Sequence, residues 1–307
     1  MRLGGVRELD LLEIMAADGE NARYLPGIPF PANLIAYPDI KECIDDARDI
    51  LVVVPSHGLR ETLTTIKPLL GPRSRVCWAT KGFELHTGKL PHQVAADVLG
   101  PDRPMAVLSG PTFAKEVAAG LPTAMTIAAS DAGFAEDLAV ALSARNFRAY
   151  TSDDMIGVEV GGAVKNVLAI AAGMSDGLGF GANTRVALIN RGLVEMTRLG
   201  VALGAKQETF MGLACMGDLV LTCTDNLSRN RRMGLALASG MSIEEAKEEI
   251  QQVVEGVMAA EAVKEVADDL GIEMPICQQV YQILYAGTSP REAVETLMGR
   301  ELKPENS

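Results

Sequence analysis

The sequence predicts an α/β protein with a mainly parallel sheet in its first half and an all-helical second half. Three observations carry this. Short β-rich runs alternate with helical stretches over residues 34–151, the signature of strands joined by crossover helices. The strand runs are apolar nearly throughout, as expected when helices cover both faces of a sheet. After about residue 152 the strand signals fade and long helical patterns follow.

In chain order, "DILVVVP" (49–55) reads as a buried strand ended by proline. "RVCWAT" (75–80), "PMAVLSG" (104–110), "TAMTIAAS" (123–130) and "FRAYTS" (147–152) read the same way. Between them "HGLRETLTTIKPLL", "LPHQVAADVLG", "TFAKEVAAG" and "DAGFAEDLAVALSA" are helical in pattern. The opening "MRLGG" resembles the end of a strand. In the second half, helices are expected over 154–174, 183–203, 206–213, 230–239, 242–268, 275–286 and 289–299, punctuated by Gly, Ser, Asn and Pro. Ser242 with Glu245 three residues later forms a capping-box pattern. The tail "LKPENS" reads as frayed.

Composition narrows the function. With 307 residues the chain is long enough for two ordinary domains. Hydrophobic residues make up 48% and charged residues 22%, the balance of a packed, soluble protein. The net charge of -12 argues against a nucleic-acid or anionic-membrane surface. An anionic substrate therefore needs a locally basic pocket. The five cysteines, Cys43, Cys77, Cys215, Cys223 and Cys277, have neither paired nor metal-like spacing, which fits a reducing, cytoplasmic compartment. Only His57, His86 and His92 occur, so no metal site is expected. No uncharged apolar run approaches the ~20 residues that span a bilayer. The N-terminus "MRLGGVRELD" is no signal peptide, because acidic residues precede any apolar core.

Several polar residues stand out from this background. Gly177-x-Gly179-x-x-Ala182 formally matches a dinucleotide fingerprint, yet a helix precedes it and it lies outside the α/β half. A pyrophosphate loop needs a strand before it and a helix start after it, so the cluster reads as a helix-to-helix turn. Lys165 sits in the apolar run "GGAVKNVLAIAAG". It either snorkels to water or is desolvated and able to act as a general acid or base. Lys81 in "ATKGFE" follows a strand end, where ligands bind in parallel sheets, or is an ordinary surface lysine. Gly110, Pro111 and Thr112 follow another strand end; Thr112 can cap the next helix, and the Gly-Pro turn admits a ligand close to backbone. The segment "SRNRR" (228–232) is the densest positive patch of an acidic chain. Hydroxyl, guanidinium and amide groups at a helix start favour a phosphate cradle over a solvated basic face. Asp218 can orient a lysine or cap a helix, and Glu255 in "VVEGVMAA" reads unaided as an exposed helical glutamate.

Taken together, "NARYLPGIPFP", "VVVPSH", "ATKGFE", "SGPTFAKE", "GGAVKNV", "GMSDGLGFGANT", "GDLVLTCTDNLSRNRR", "VVEG" and "EMPI" resemble the bacterial NAD(P)-dependent glycerol-3-phosphate dehydrogenases. The likeness runs from about Asn21 to residue 300, and so many motifs in order are far more specific than any one. It implies a Rossmann-like dinucleotide-binding domain over 1–151 and a helical substrate domain over 152–307, in a homodimer. It implies reduction of dihydroxyacetone phosphate to sn-glycerol 3-phosphate by NADH or NADPH, feeding phospholipid synthesis. Lys165 then matches the catalytic lysine that protonates the carbonyl oxygen, and Asn166 beside it a supporting hydrogen bond. Substrate contacts match Lys81, Gly110, Thr112, Lys165, Asp218, Ser228, Arg229 and Asn230. Cofactor contacts match Lys81, Ala114, Arg229, Val253 and Glu255.

The sequence departs from the family at its start. Members begin with a strand, a GxGxxG-type loop and a helix ahead of the region matching "MRLGG", so the Rossmann-like domain is expected to be truncated at its N-terminus. Met1 then reads as an internal methionine of a longer protein, or the chain as truly shortened and impaired. Arg7 lies where the family reads the adenosine ribose and could meet a 2′-phosphate. A second function follows from the same departure: a non-catalytic remnant that binds a phosphorylated small molecule. A third is a dehydrogenase of the same architecture acting on another sugar phosphate or hydroxy acid.

Overall fold

The structure is a computed structural model that describes residues 1–5, 9–302 and 304–305. Arg7 lies outside the described residues. The chain divides into two compact units, Met1–Lys81 with Pro91–Met155 and Gly82–Leu90 with residues 156–307.

The first unit alternates strand and helix: β1 (Arg2–Gly4), α1 (Leu9–Asp18), β2 (Ile35–Tyr37), α2 (Ile40–Ile44), β3 (Asp49–Val52), α3 (Leu59–Ile66), β4 (Arg75–Trp78), α4 (Pro91–Leu99), β5 (Met105–Ser109), α5 (Ala114–Ala118), β6 (Thr123–Ala129), α6 (Ala132–Leu142) and β7 (Phe147–Ser152). β3 to β7 form one sheet in sequence order, and β1 pairs in parallel with β2 in a second, two-stranded sheet. Pairing within the larger sheet is parallel except between β5 and β6. Every residue of β4 and β5 is buried, which explains why these strands read as nearly continuous apolar runs. Cys77, Ala106, Leu108, Ile127 and Phe134 fill the core between sheet and α6.

Register fixes an ion-pair cluster at one end of this sheet. Arg75 stands opposite Asp49, binds its carboxylate through two nitrogens at 2.5 and 2.8 Å, and reaches Asp137 at 2.7 Å. Its guanidinium also lies 4.3 Å from the centre of the Phe134 ring. Hydrogen bonding to Arg75 holds the Asp137 carboxyl below its usual range.

The second unit is helical, beginning with α7 (Met155–Gly177) and α8 (Ala182–Ala202). α7 is long and apolar enough to cross a membrane, yet 89% of its apolar window is buried inside the protein. The glycine cluster is the turn between these helices, as its context required. A 3-10 turn (Gln207–Met211) and a π turn (Leu213–Gly217) replace the helix expected over 206–213 and lead into α9 (Asp218–Thr224). Then come α10 (Arg229–Ala238), α11 (Ile243–Ile250), α12 (Glu255–Asp269), α13 (Pro275–Tyr285) and α14 (Pro290–Met298). The Ser242–Glu245 capping box is present in full. The single helix expected over 242–268 is two. α11 stops where Gln251 turns left-handed at φ 55°, and α12 starts afresh at Glu255.

Candidate active site

Lys165 projects from the middle of α7, where neighbours on every side are buried. Its side chain is only 8% exposed, so it does not snorkel. Burying an ammonium costs several kcal/mol unless it is paired. The pairing comes from α9, where Asp218 Oδ1 lies 2.6 Å from Nζ and the Thr222 hydroxyl lies 3.1 Å away. Asp218 and Thr222 sit one turn apart and face the same way. Thr222 in turn donates to the Asp218 carbonyl at 2.6 Å, which fixes its rotamer. Asp218 therefore pairs with the lysine; Gly217 is the helix cap. Sequence reasoning missed Thr222. The four-residue spacing in "DLVLT" was the only signal for it.

The next residue begins a second chain of contacts. The Asn166 Oδ1 accepts from the Asn230 amide at 2.9 Å, and its own amide donates to Glu255 Oε2 at 3.4 Å. Asn230 Oδ1 accepts from the Gly256 N–H at 2.9 Å. Three helices, α7, α10 and α12, are thus tied together at the level of Lys165. Glu255 is half-buried within this chain rather than exposed. Val253, just before α12, is 45% exposed.

The basic segment divides in two. Ser228 caps α10, its hydroxyl accepting from the Arg231 N–H at 3.2 Å. Arg231 turns inward to Asp176 at 2.6 Å and to Asn226, and Asp176 also holds Arg185 at 2.9 Å. Arg231 is consumed by structure. Arg229, half-buried at the first position of α10, makes no hydrogen bond or ion pair among the described residues. Arg232 Nε likewise has no partner, so the patch that reads as one phosphate cradle contributes two guanidiniums with no side-chain bond among the described residues and a helix start.

Burial pushes the Cys223 thiol, on α9, up to about 12, so it holds its proton at neutral pH.

In the first unit, the other expected residues gather at the carboxyl ends of β4 and β5. Lys81 Nζ lies 3.5 Å from the Gly110 carbonyl, and the Thr112 hydroxyl donates to the same carbonyl at 3.2 Å. Thr112 is no helix cap; Phe113 holds that position with no side-chain bond. Gly110 has φ 153°, and a β-carbon there would stand 2.9 Å from the Met125 Cα, so only glycine fits. Ala114 is the exposed first residue of α5. A side-chain-free turn and one ammonium at the carboxyl end of a parallel sheet suit an anionic dinucleotide.

A Rossmann-like sheet followed by a helical unit with a buried lysine–aspartate pair defines the dehydrogenase class to which the chain conforms. Residues 5–135 and 154–295 match the family described as NAD-dependent glycerol-3-phosphate dehydrogenase, N-terminus and C-terminus respectively. A glycerol-3-phosphate dehydrogenase [NAD(P)+] of Klebsiella pneumoniae is 57% identical over 94% of this chain and 85% of its own length. The crystal structure of a Coxiella burnetii glycerol-3-phosphate dehydrogenase superimposes with a TM-score of 0.94 at 50% identity, covering 97% of this chain and 91% of that one. A Saccharomyces cerevisiae glycerol-3-phosphate dehydrogenase follows at 27% identity and a TM-score of 0.82, with 96% and 89% covered. The chain belongs to the NAD(P)-dependent glycerol-3-phosphate dehydrogenase family and is an enzyme of that kind.

Proposed function

We propose that the protein catalyses the reversible, NAD(P)H-dependent reduction of dihydroxyacetone phosphate to sn-glycerol 3-phosphate, supplying glycerophospholipid synthesis. The observation that carries the mechanism is the buried Lys165–Asp218 pair. When bound, the nicotinamide supplies the hydride. Lys165 holds a proton at Nζ for the carbonyl oxygen, where negative charge builds as the carbonyl is reduced. Asp218 keeps that ammonium charged and aimed, and Thr222 fixes a second direction. In the reverse reaction Lys165 takes the proton from the alcohol.

The substrate phosphate is read by Ser228, Arg229 and Asn230 at the start of α10, supported by the uncompensated Arg229 guanidinium and the helix N-terminus. Asn166 positions Asn230 through its 2.9 Å bond. Lys81, Gly110 and Thr112 complete the substrate contacts. Lys81, Ala114, Arg229, Val253 and Glu255 hold the cofactor. In this reading residues 1–151 form the dinucleotide domain and 152–307 the substrate domain. The working form is a cytoplasmic homodimer, without stable membrane insertion, acting on no nucleic acid.

The direct test follows NADH and NADPH oxidation at 340 nm, a general nicotinamide readout, with dihydroxyacetone phosphate and with dihydroxyacetone. Turnover of the phosphate ester alone is expected. Equal turnover of both substrates would remove the phosphate role of α10, and turnover of neither would remove the activity.

A further inference from the structure

A cavity of about 850 Å³ opens in the helical unit between α7, α8, α13 and α14, within the ~300–1,000 Å³ span of small-molecule sites. Lys165, Asp218, Asn230 and Arg229 do not line it. Its walls are apolar and only half-buried, with Leu188 from α8, Ile283 from α13 and Val294 and Leu297 from α14. At its α7 wall Ser175 is 4% exposed, and its hydroxyl has no hydrogen-bond partner. A polar atom left that way is rare in a finished core.

The charges around the cavity are not equivalent. Glu195 is spent on the α13 start, accepting from the Ile276 and Cys277 N–H groups at 2.7 and 3.2 Å. Glu273 is taken by Arg300 at 3.2 Å, and its carbonyl accepts from Arg198 at 2.6 Å. Glu301 and Glu305 are exposed. Arg191 is half-buried in the wall and donates only to the Glu305 main-chain carbonyl, at 2.8 Å, with no carboxylate paired to it among the described residues. A neutral carbonyl leaves that guanidinium's charge uncompensated, and a carboxylate or phosphate would compensate it with two parallel bonds.

We infer that this cavity is a second ligand site, separate from the Lys165 site, for an amphipathic anion with one alkyl chain and a carboxylate or phosphate head. The chain lies against Leu188, Ile283, Val294 and Leu297, and the head meets Arg191.

The test is calorimetric titration of the full chain with dodecanoate, dodecyl phosphate and dodecyltrimethylammonium, each below its micelle concentration. One saturable site per chain is expected for an anion, and the two anions compared give the head preferred. The cation of equal chain length should neither bind there nor compete. Arg191→Gln should weaken anion binding about tenfold, the size of one lost charge-assisted contact. Ile283→Trp, which fills the cavity, should abolish binding; if it does not fold, Val294→Phe serves. Thermal melts and dihydroxyacetone phosphate turnover certify that each variant is intact. No saturable binding, equal binding of the cation, or binding untouched by both variants overturns the proposal. So does binding that disappears as the chain self-associates with rising protein concentration, read by sedimentation, because a second copy would then be the occupant.

Discussion

Two buried ion pairs hang from the same helix. Near its middle α7 supplies the cation, Lys165, and α9 the anion, Asp218. Near its end α7 supplies the anion, Asp176, and α10 the cation, Arg231. Both pairs sit at 2.6 Å, and both are nearly out of reach of water. The difference is in the cation. A lysine ammonium can give up its proton and take it back; a guanidinium in a protein cannot. Lys165 has a compact charge met by the Asp218 carboxylate and the Thr222 hydroxyl, a suitable arrangement for proton transfer. Arg231 fans its nitrogens over Asp176 and Asn226 and locks a corner. Burial of a charge therefore does not by itself mark catalysis, and the residue type decides.

The comparison breaks most sharply at Lys165. Lys165→Ala should lower turnover by about 10²–10⁴-fold, the span of a lost general acid, with substrate affinity nearly unchanged. A melting curve measured beside the assay separates loss of chemistry from loss of fold, since Asp218 is left buried without its partner. Near-wild-type turnover would put Lys165 in the same structural category as Arg231. Arg231→Met should do the reverse. It removes one of the two guanidiniums on Asp176, which keeps Arg185, should destabilise by about 1–3 kcal/mol in denaturant titration, and should leave turnover per folded molecule close to wild type.

A third buried charge sharpens the contrast because it belongs to neither pair. Burial raises the Glu195 carboxyl to about 7 from an ordinary 4.5, against the pull of two backbone N–H groups and Arg198. The raised value means the folded state holds this proton more tightly than the unfolded chain does. Its contribution is fully present below pH 4.5 and is lost as pH rises through 7, a total of about 3 kcal/mol by linkage. Glu195→Gln should flatten that part of the stability–pH curve; an unchanged slope would assign the titration to another group. The smallest effect is expected at Asn166. Asn166→Leu leaves the Asn230 amide unpaired, costs about 1–2 kcal/mol in stability, and should raise KM for dihydroxyacetone phosphate more than it lowers kcat.

Much of this was legible in the sequence. β4 and β5 announced themselves because strands covered on both faces are apolar almost throughout, with only Arg75 and Ser109 polar at their ends. Lys165 was conspicuous because a charge inside "GGAVKNVLAIAAG" breaks an otherwise unbroken buried face. The break between α11 and α12 was not legible, because Gln251 takes a left-handed conformation that sequence signals only through Gly or Asn. The division of "SRNRR" was hidden too. Nothing within five adjacent residues says that Asp176, 55 positions away, claims Arg231 and leaves Arg229 unpaired. Thr222 was invisible for the same reason: its meaning depends on α7 and α9 meeting.

Where α7 crosses α10 there is no side-chain layer at all. A β-carbon on Gly173 would run into the Arg231 carbonyl, and one on Gly234 into the Ile170 carbonyl. Backbone rests on backbone, between the stretch of α7 that carries Lys165 and the α10 start at Ser228–Asn230. Side chains can change rotamer and give way; two main chains in contact cannot. That crossing works as a fixed gauge. It holds Lys165 and the Ser228–Asn230 start of α10 at one separation, so in the proposed function the length of an accepted substrate is set by main chain rather than by rotamers.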